Sequence, residues 1–244
     1  AITIKEGDEL LEAKLTNGES QIILAVKSGK LVRFEETKTR PMGRTASGVR
    51  GISLKDETDE VIGMVTVDKD DINDTQILVV TENGYGKRTK LVDEDGEDVY
   101  RITNRGGKGV KTLNITEKTG KLISISNVTD ADDLMIINKS GLTIRMAVED
   151  LRVMGRATQG VKLINLKGND SIAAVTKVMK DDVAEVVVDE DGNVIETEAI
   201  ERVKPVLEVL EDDGVEDDDD SDEEDEIEDD EDSEEAGDED DSDE

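Results

Sequence analysis

A thirteen-residue pattern occurs three times along the chain: RPMGRTASGVRGI from Arg40 to Ile52, RITNRGGKGVKTL from Arg101 to Leu113, and RVMGRATQGVKLI from Arg152 to Ile164. Each copy places Gly or Asn before an Arg, then a second Gly and a further base, and then runs into an apolar stretch. Upstream of each copy two apolar runs flank a Ser-Gly or Asn-Gly dipeptide, over Gln21 to Phe34, Gln76 to Thr89 and Asp133 to Met146. Such dipeptides supply the positive φ that tight hairpins require. Downstream, the alternation in Ile52 to Leu54, Leu113 to Ile115 and Ile164 to Leu166 predicts a strand in each unit, and Val61 to Val67 typifies a second. The unit therefore has four strands, and the hairpins start 55 and then 57 residues apart. That period belongs to propeller-like arrays, so the fold class is all-β, an array of four-stranded antiparallel blades.

A fourth copy of the downstream strands stands at the start. Ile2-Thr3-Ile4 aligns with Ile52-Ser53-Leu54, and Glu9 to Thr16 aligns with Glu60 to Val67. No glycine-arginine turn precedes it, so Ala1 reads as a cut inside a repeat and the chain as the C-terminal piece of a longer one. The hairpin runs Ile22 to Val26, Ile77 to Val80 and Leu134 to Ile137 are continuously apolar, which suits strands covered on both faces. The only aromatics are Phe34, Tyr85 and Tyr100, so the sheets must pack through branched aliphatics. No stretch approaches the ~18 apolar residues of a membrane span, which predicts a soluble protein without a membrane partner; the absence of cysteine is compatible with a reducing cytoplasm, the location expected. Residues 1–180 form the partial array of about three repeats. Residues 181–210 carry one more turn signal, Asp191-Gly192, and read either as a degenerate hairpin or as a linker.

From 211 to 244, 26 of 34 residues are Asp or Glu and none is Lys or Arg. Such a segment cannot bury enough apolar surface to offset its ordering entropy, and a disordered acidic tail is expected. The formal charge of −34 belongs mostly to this tail. Residues 1–210 hold 38 acidic against 30 basic side chains, a balance of −8.

Several chemistries are excluded. With no His and no Cys in the chain, neither Ser-His-Asp nor Cys-His catalysis nor a thiolate or imidazole metal site can be built. The spacing from Gly43 to Gly48 lacks the Lys and Ser/Thr of a phosphate loop. Asp68 to Asp74 and Asp93 to Asp98 lack the glycine and glutamate positions of a calcium loop. No catalytic residue, metal site or cofactor site is assigned to the chain.

The turns point to phosphate. Arg44, Arg105 and Arg156 share one place in the pattern, Gly48, Gly109 and Gly160 another, and Arg50, Lys111 and Lys162 a third. A glycine admits a phosphate close to the main chain, and an arginine beside it forks two hydrogen bonds onto the oxygens. The hairpins add Arg33, Arg88 and Arg145 at one aligned position, with Lys87 beside the second. Glycines in such turns commonly serve only the backbone, and arginines near turns commonly serve solvent or loop carbonyls. Recurrence of base and glycine in register, on a chain otherwise rich in acid, favours a row of contacts to a duplex backbone.

These residues also carry a resemblance. VKSGKLVRF, RPMGRTASGVRGI, TENGYGKRT and VMGRATQGVKLI are similar to segments of the C-terminal domain of the DNA gyrase A protein, a type IIA DNA topoisomerase component, over roughly residues 1 to 178. The resemblance implies a β-pinwheel of blades, six when complete, which binds and wraps double-stranded DNA around a basic rim. It also implies a holoenzyme of two gyrase A and two gyrase B proteins that introduces negative supercoils, with ATP and Mg on gyrase B and the assembly made through a missing N-terminal part. The family's Gln-Arg-Arg-Gly-Gly-Lys-Gly box is absent. Its nearest match, Asn104 to Gly109, transfers phosphate binding to Arg105, Lys108 and Gly109. The related component of topoisomerase IV, and a non-enzymatic interaction propeller with a chaperone-like acidic tail, are the alternatives.

Overall fold

The computed structural model describes residues 2–168 and 170–179, together with strand residues 187–188 and 194–195. All of them lie in the first of the two compact units into which the chain divides, Ala1–Asp213. Strands and three 3-10 turns make up the regular structure of the described residues, with no α-helix among them.

The three hairpins form where the dipeptide turns place them: β1 (Gln21–Val26) with β2 (Lys30–Glu35), β4 (Gln76–Thr81) with β5 (Tyr85–Lys90), and β8 (Asp132–Asn138) with β9 (Thr143–Ala147). Each then gains the strand that follows its own unit. These are β3 (Val61–Val67) on β1, β7 (Leu122–Val128) on β4 and β11 (Ile172–Met179) on β8. The fourth strand comes from elsewhere. β6 (Val110–Lys111), at the end of the second basic turn, pairs with β2, and β10 (Val161–Lys162), at the end of the third, pairs with β5. Each four-stranded blade is thus built from two successive repeats, and the blade of β11, β8 and β9 has three strands.

This corrects the strand positions expected from the sequence. The ladder runs through 110–111 and 161–162, ahead of Leu113 to Ile115 and Ile164 to Leu166, and Ile52 to Leu54 is likewise outside any strand. The alternation there reflects packing rather than pairing: Ile52, Leu113 and Ile164 are buried, while the amides at 112 and 163 donate to Gly29 and Gly84 at the hairpin tips, both 2.8 Å. Glu9 to Thr16 is exposed and unpaired as a strand, since no hairpin stands beside it among the described residues. Within 181–210, where most residues lie outside the described ones, β12 (Val187–Val188) pairs antiparallel with β13 (Val194–Ile195). The expected tail, 211–244, lies outside the described residues.

The core lies between blades. β4 is buried along its whole length because Ile77 and Val79 face β1, β3 and Leu113, whereas Leu78 and Val80 face β8 and β9. Burying aliphatics on both faces at about 25 cal/mol per Å² of apolar surface removed from water makes this strand the centre of the described structure.

Polar ties hold the hairpin tips. The carboxylate of Asp59 accepts from the Ser28 amide and hydroxyl, at 3.0 and 2.7 Å. Burial pushes this carboxyl up, but donors from Ser28, Lys55 and Glu60 outweigh it and hold the group below the ordinary carboxylate range. A lowered folded value gives stability that is complete above the unfolded value, about 3.9, and is lost as pH falls through the folded one. Acid titration of unfolding should therefore be shallower in Asp59→Asn than in the parent below about pH 4.

Candidate nucleic-acid interface

One hydrogen bond recurs between each basic turn and the segment that follows the turn before it. The Ser53 amide donates to Gly107 O at 2.9 Å, and the Asn114 amide donates to Thr158 O at 3.1 Å. Gly107 and Thr158 are the seventh residues of their copies, and Ser53 and Asn114 are aligned. At the start of the chain the Thr3 amide donates to Ala46 O at 3.2 Å, the seventh residue of the first copy. Hydroxyls reinforce two of these joints, Thr3 Oγ1 to Thr45 O at 2.8 Å and Ser53 Oγ to Gly106 O at 2.6 Å. Ile2-Thr3-Ile4 therefore occupies the place its alignment assigned, although not as a strand. The three turns are fastened in series, first to second and second to third.

The joint between the first two turns carries more bonds. Gly106 N donates to Gly51 O at 2.7 Å, and the guanidinium of Arg105 reaches Lys38 O at 3.1 Å and Arg50 O at 3.4 Å. Arg105 is half-buried as a result. Arg44, Arg50, Lys108, Lys111 and Arg156 are exposed, and Lys162 is half-buried. Among the described residues, Arg44, Arg50, Lys111, Arg156 and Lys162 make no side-chain hydrogen bond or ion pair. Arg40, Arg101 and Arg152, the first residue of each copy, are exposed as well. They were not among the candidates read from the sequence, although their recurrence at the head of the pattern was visible there.

Two of the three pattern glycines answer to the ladder. Gly109 has φ +73°, and a Cβ there would stand 2.5 Å from Leu31 O; Gly160 has φ +79°, with Gly86 O at 2.7 Å. Leu31 and Gly86 are the β2 and β5 residues opposite Val110 and Val161. Close approach of the neighbouring strand thus accounts for glycine at both. Gly48 has φ +89° and open space around it. Gly109→Ala should cost about 3 kcal/mol, the left-handed strain plus a backbone overlap, whereas Gly48→Ala should cost only about 1–2 kcal/mol. Urea unfolding of the two variants checks the difference.

Of the four hairpin bases, Arg33, Lys87 and Arg88 are buried and Arg145 is half-buried, whereas the sequence placed them with the turn bases in a row of backbone contacts. Arg33 is 2% exposed, donating to Gln21 Oε1 and Tyr100 O, both 2.7 Å, and pairing with Asp98 at 2.8 Å. Arg88, also buried, donates to Leu151 O at 2.7 Å and pairs with Asp130. Tyr100 and Leu151 each stand just before a basic turn, so the aligned arginine grips the carbonyl from which the next turn departs. Arg145 pairs with Asp133 at 2.7 Å. Lys87 is fully buried, with its ammonium on the carbonyls of Gly155 and Arg156. Burial of Arg33, Lys87 and Arg88 follows from the donated fourth strand and its turn, which cover β2 and β5 in a way that a self-contained unit would not; Arg145, on β9 of the three-stranded blade, is half-buried.

The sequence profile of the DNA gyrase C-terminal domain, beta-propeller family matches residues 21–68, 75–129 and 132–179. The DNA gyrase A protein of Staphylococcus aureus (strain MRSA252) is 43% identical over 205 residues, covering 82% of this chain and 22% of that protein. The chain thus spans about a fifth of the length of the curated relatives it matches, at 22% and 19% of the first two. Among solved structures, the DNA gyrase A C-terminal domain superposes with TM-score 0.62 at 25% identity, over 73% of this chain and 57% of that one. The C-terminal domain of DNA topoisomerase IV superposes with TM-score 0.65 at 24% identity, over 73% of this chain and 52% of that one.

Proposed function

Because the chain belongs to the DNA gyrase C-terminal domain, beta-propeller family, we propose that it binds and wraps duplex DNA as the C-terminal domain of a gyrase A protein. In that role it supports ATP-dependent negative supercoiling by an assembly of two gyrase A and two gyrase B proteins in the cytoplasm, with ATP and Mg held by gyrase B. The observation that carries the reading is the row of three turns, joined by one repeated backbone hydrogen bond. The contacts fall to the turn bases, the exposed Arg44, Arg50, Lys108, Lys111 and Arg156 and the half-buried Arg105 and Lys162, joined by the exposed Arg40, Arg101 and Arg152.

The chemistry is of backbone recognition. Bending 20 to 30 base pairs by 40 to 90 degrees costs on the order of 1 to 6 kcal/mol, more than one exposed ion pair returns. Several turns must therefore act on one duplex. Each phosphate neutralised releases counterions, which makes binding steep in salt, and contacts confined to phosphates give little sequence preference. No helix among the described residues is long and apolar enough to cross a membrane.

The likeness to the topoisomerase IV domain supports a second reading, a decatenating relative that wraps weakly. Identity of 43% to gyrase A favours the first. Duplex binding across a salt series, followed by ligation of a nicked circle with the protein bound, separates them. Gyrase-type wrapping predicts log affinity falling by roughly 0.9 per contact with log salt and a linking-number change trapped on ligation. Salt-dependent binding without trapped supercoils favours the second reading. Absence of salt-dependent binding removes both and leaves a protein-interaction propeller.

A further inference from the structure

Lys87 stands at the position of Val32 in the first hairpin and Ile144 in the third, both apolar and buried. An ammonium there loses its hydration, and it is satisfied by the third basic turn: the carbonyls of Gly155 and Arg156, and the Thr158 hydroxyl at 3.1 Å. The same hydroxyl donates to Gly155 O at 3.1 Å, closing the turn around the lysine tip. Three acceptors converge from four consecutive residues, 155 to 158, on a donor with three protons. The Arg156 guanidinium, exposed and outside this cluster, leaves from the peptide whose carbonyl Lys87 holds.

The other turns are held differently. The second is tied by Gly106 N to Gly51 O and by its own Arg105 to Lys38 O and Arg50 O. The first has the Thr3 joint and an internal bond from Ala46 N to Gly43 O at 3.2 Å. Buried Arg33 holds Tyr100 O just ahead of the second turn, but only at the third turn, among the described residues, does a buried charge from the preceding hairpin reach carbonyls within the turn itself.

We propose that Lys87 is a positioning residue for DNA: it locks the 155–158 turn in one conformation, so that Arg156 meets a phosphate without first ordering its own backbone. The inference rests on the DNA-binding reading above and goes beyond it. Fixing the presenting backbone in advance lowers the ordering cost that binding would otherwise bear. A buried lysine that touches no phosphate can in this way control affinity through a neighbour.

A double-mutant cycle in the full chain tests this, with duplex affinity measured across a salt series and amide exchange of 152–160 followed in parallel. Arg156→Ala should weaken binding roughly five- to tenfold and lower the salt slope by about one. Lys87→Met keeps an unbranched apolar stem and loses the donor; it should weaken binding about threefold to tenfold and speed exchange in the turn. Combined with Arg156→Ala, it should add less than twofold. If Arg156→Ala weakens binding and Lys87→Met has no effect, or multiplies it in full, the positioning role is wrong while the binding reading stands. If Arg156→Ala changes nothing, the third turn is not a contact and both fall there. Should Lys87→Met fail to fold, Thr158→Val carries the cycle: a loss of about twofold that vanishes in the Arg156→Ala background is expected, and an unchanged or fully multiplicative effect overturns the proposal.

Discussion

Replacing Arg44, Arg105 and Arg156 together with alanine is expected to weaken duplex binding by about a hundredfold or more and to reduce the salt slope by roughly 2.7. The slope follows from three phosphate contacts at about 0.9 each. The affinity follows from about 1 kcal/mol per contact, below the roughly 1.5–3 kcal/mol of hydrogen bonds to charged groups because the rim is wet. Arg44 and Arg156 are exposed and make no side-chain bond to another described residue, so their removal should leave unfolding within about 0.5 kcal/mol of the parent. Arg105 is bonded to Lys38 O and Arg50 O and adds a modest loss of stability. Salt titration of parent and triple variant, with denaturant melts as a control, separates a lost contact from a lost fold.

Arg33→Met is expected to do the reverse: a loss of about 3 kcal/mol of stability with an unchanged salt slope in the molecules that remain folded. The side chain is 1% exposed, while its partner Asp98 is 40% exposed. The stranded carboxylate can turn to water, so its share of the cost is small. The larger share comes from Gln21 Oε1 and Tyr100 O, which lose their donor inside the packed edge. At roughly 2–4 °C per kcal/mol for a folded unit of this size, the melting midpoint should fall by about 6–12 °C. Had Arg33 been a phosphate contact, the slope would drop by about one and the melting point would hardly move.

Local sequence encodes the hairpins of this chain but not the partners of its distant strands. Hairpins are local, so the dipeptides at Ser28-Gly29 and Asn83-Gly84 were enough to place β1, β2, β4 and β5, and the uninterrupted apolar run Ile77 to Val80 was enough to mark a strand covered twice. Which hairpin a distant Gly-Val-Lys joins is a long-range matter, and no local pattern reveals that Val110 crosses to Leu31. Once that donated strand is unknown, its consequences are hidden too. Arg33 and Arg88 recur in register as the turn bases do, yet for an opposite reason: each holds the carbonyl before the next turn. Recurrence in register does not tell an outward contact from an inward tie, nor does it guarantee one job in every unit, since Arg145 pairs with Asp133 instead. The head arginines Arg40, Arg101 and Arg152 carry the same periodicity but have no glycine beside them, so nothing local set them apart as phosphate contacts.

On the wrapping reading proposed above, the three turns, fastened in order, lie along one curved duplex. A DNA-cleaving reagent tethered successively to positions 44, 105 and 156 measures this directly, read out on a single end-labelled duplex bound in low salt. Cuts should appear at three separate places whose order along the DNA follows the order of the turns in the chain, with regular spacing. Cuts at one common place, in shuffled order, or from one position alone would contradict a shared wrapping path.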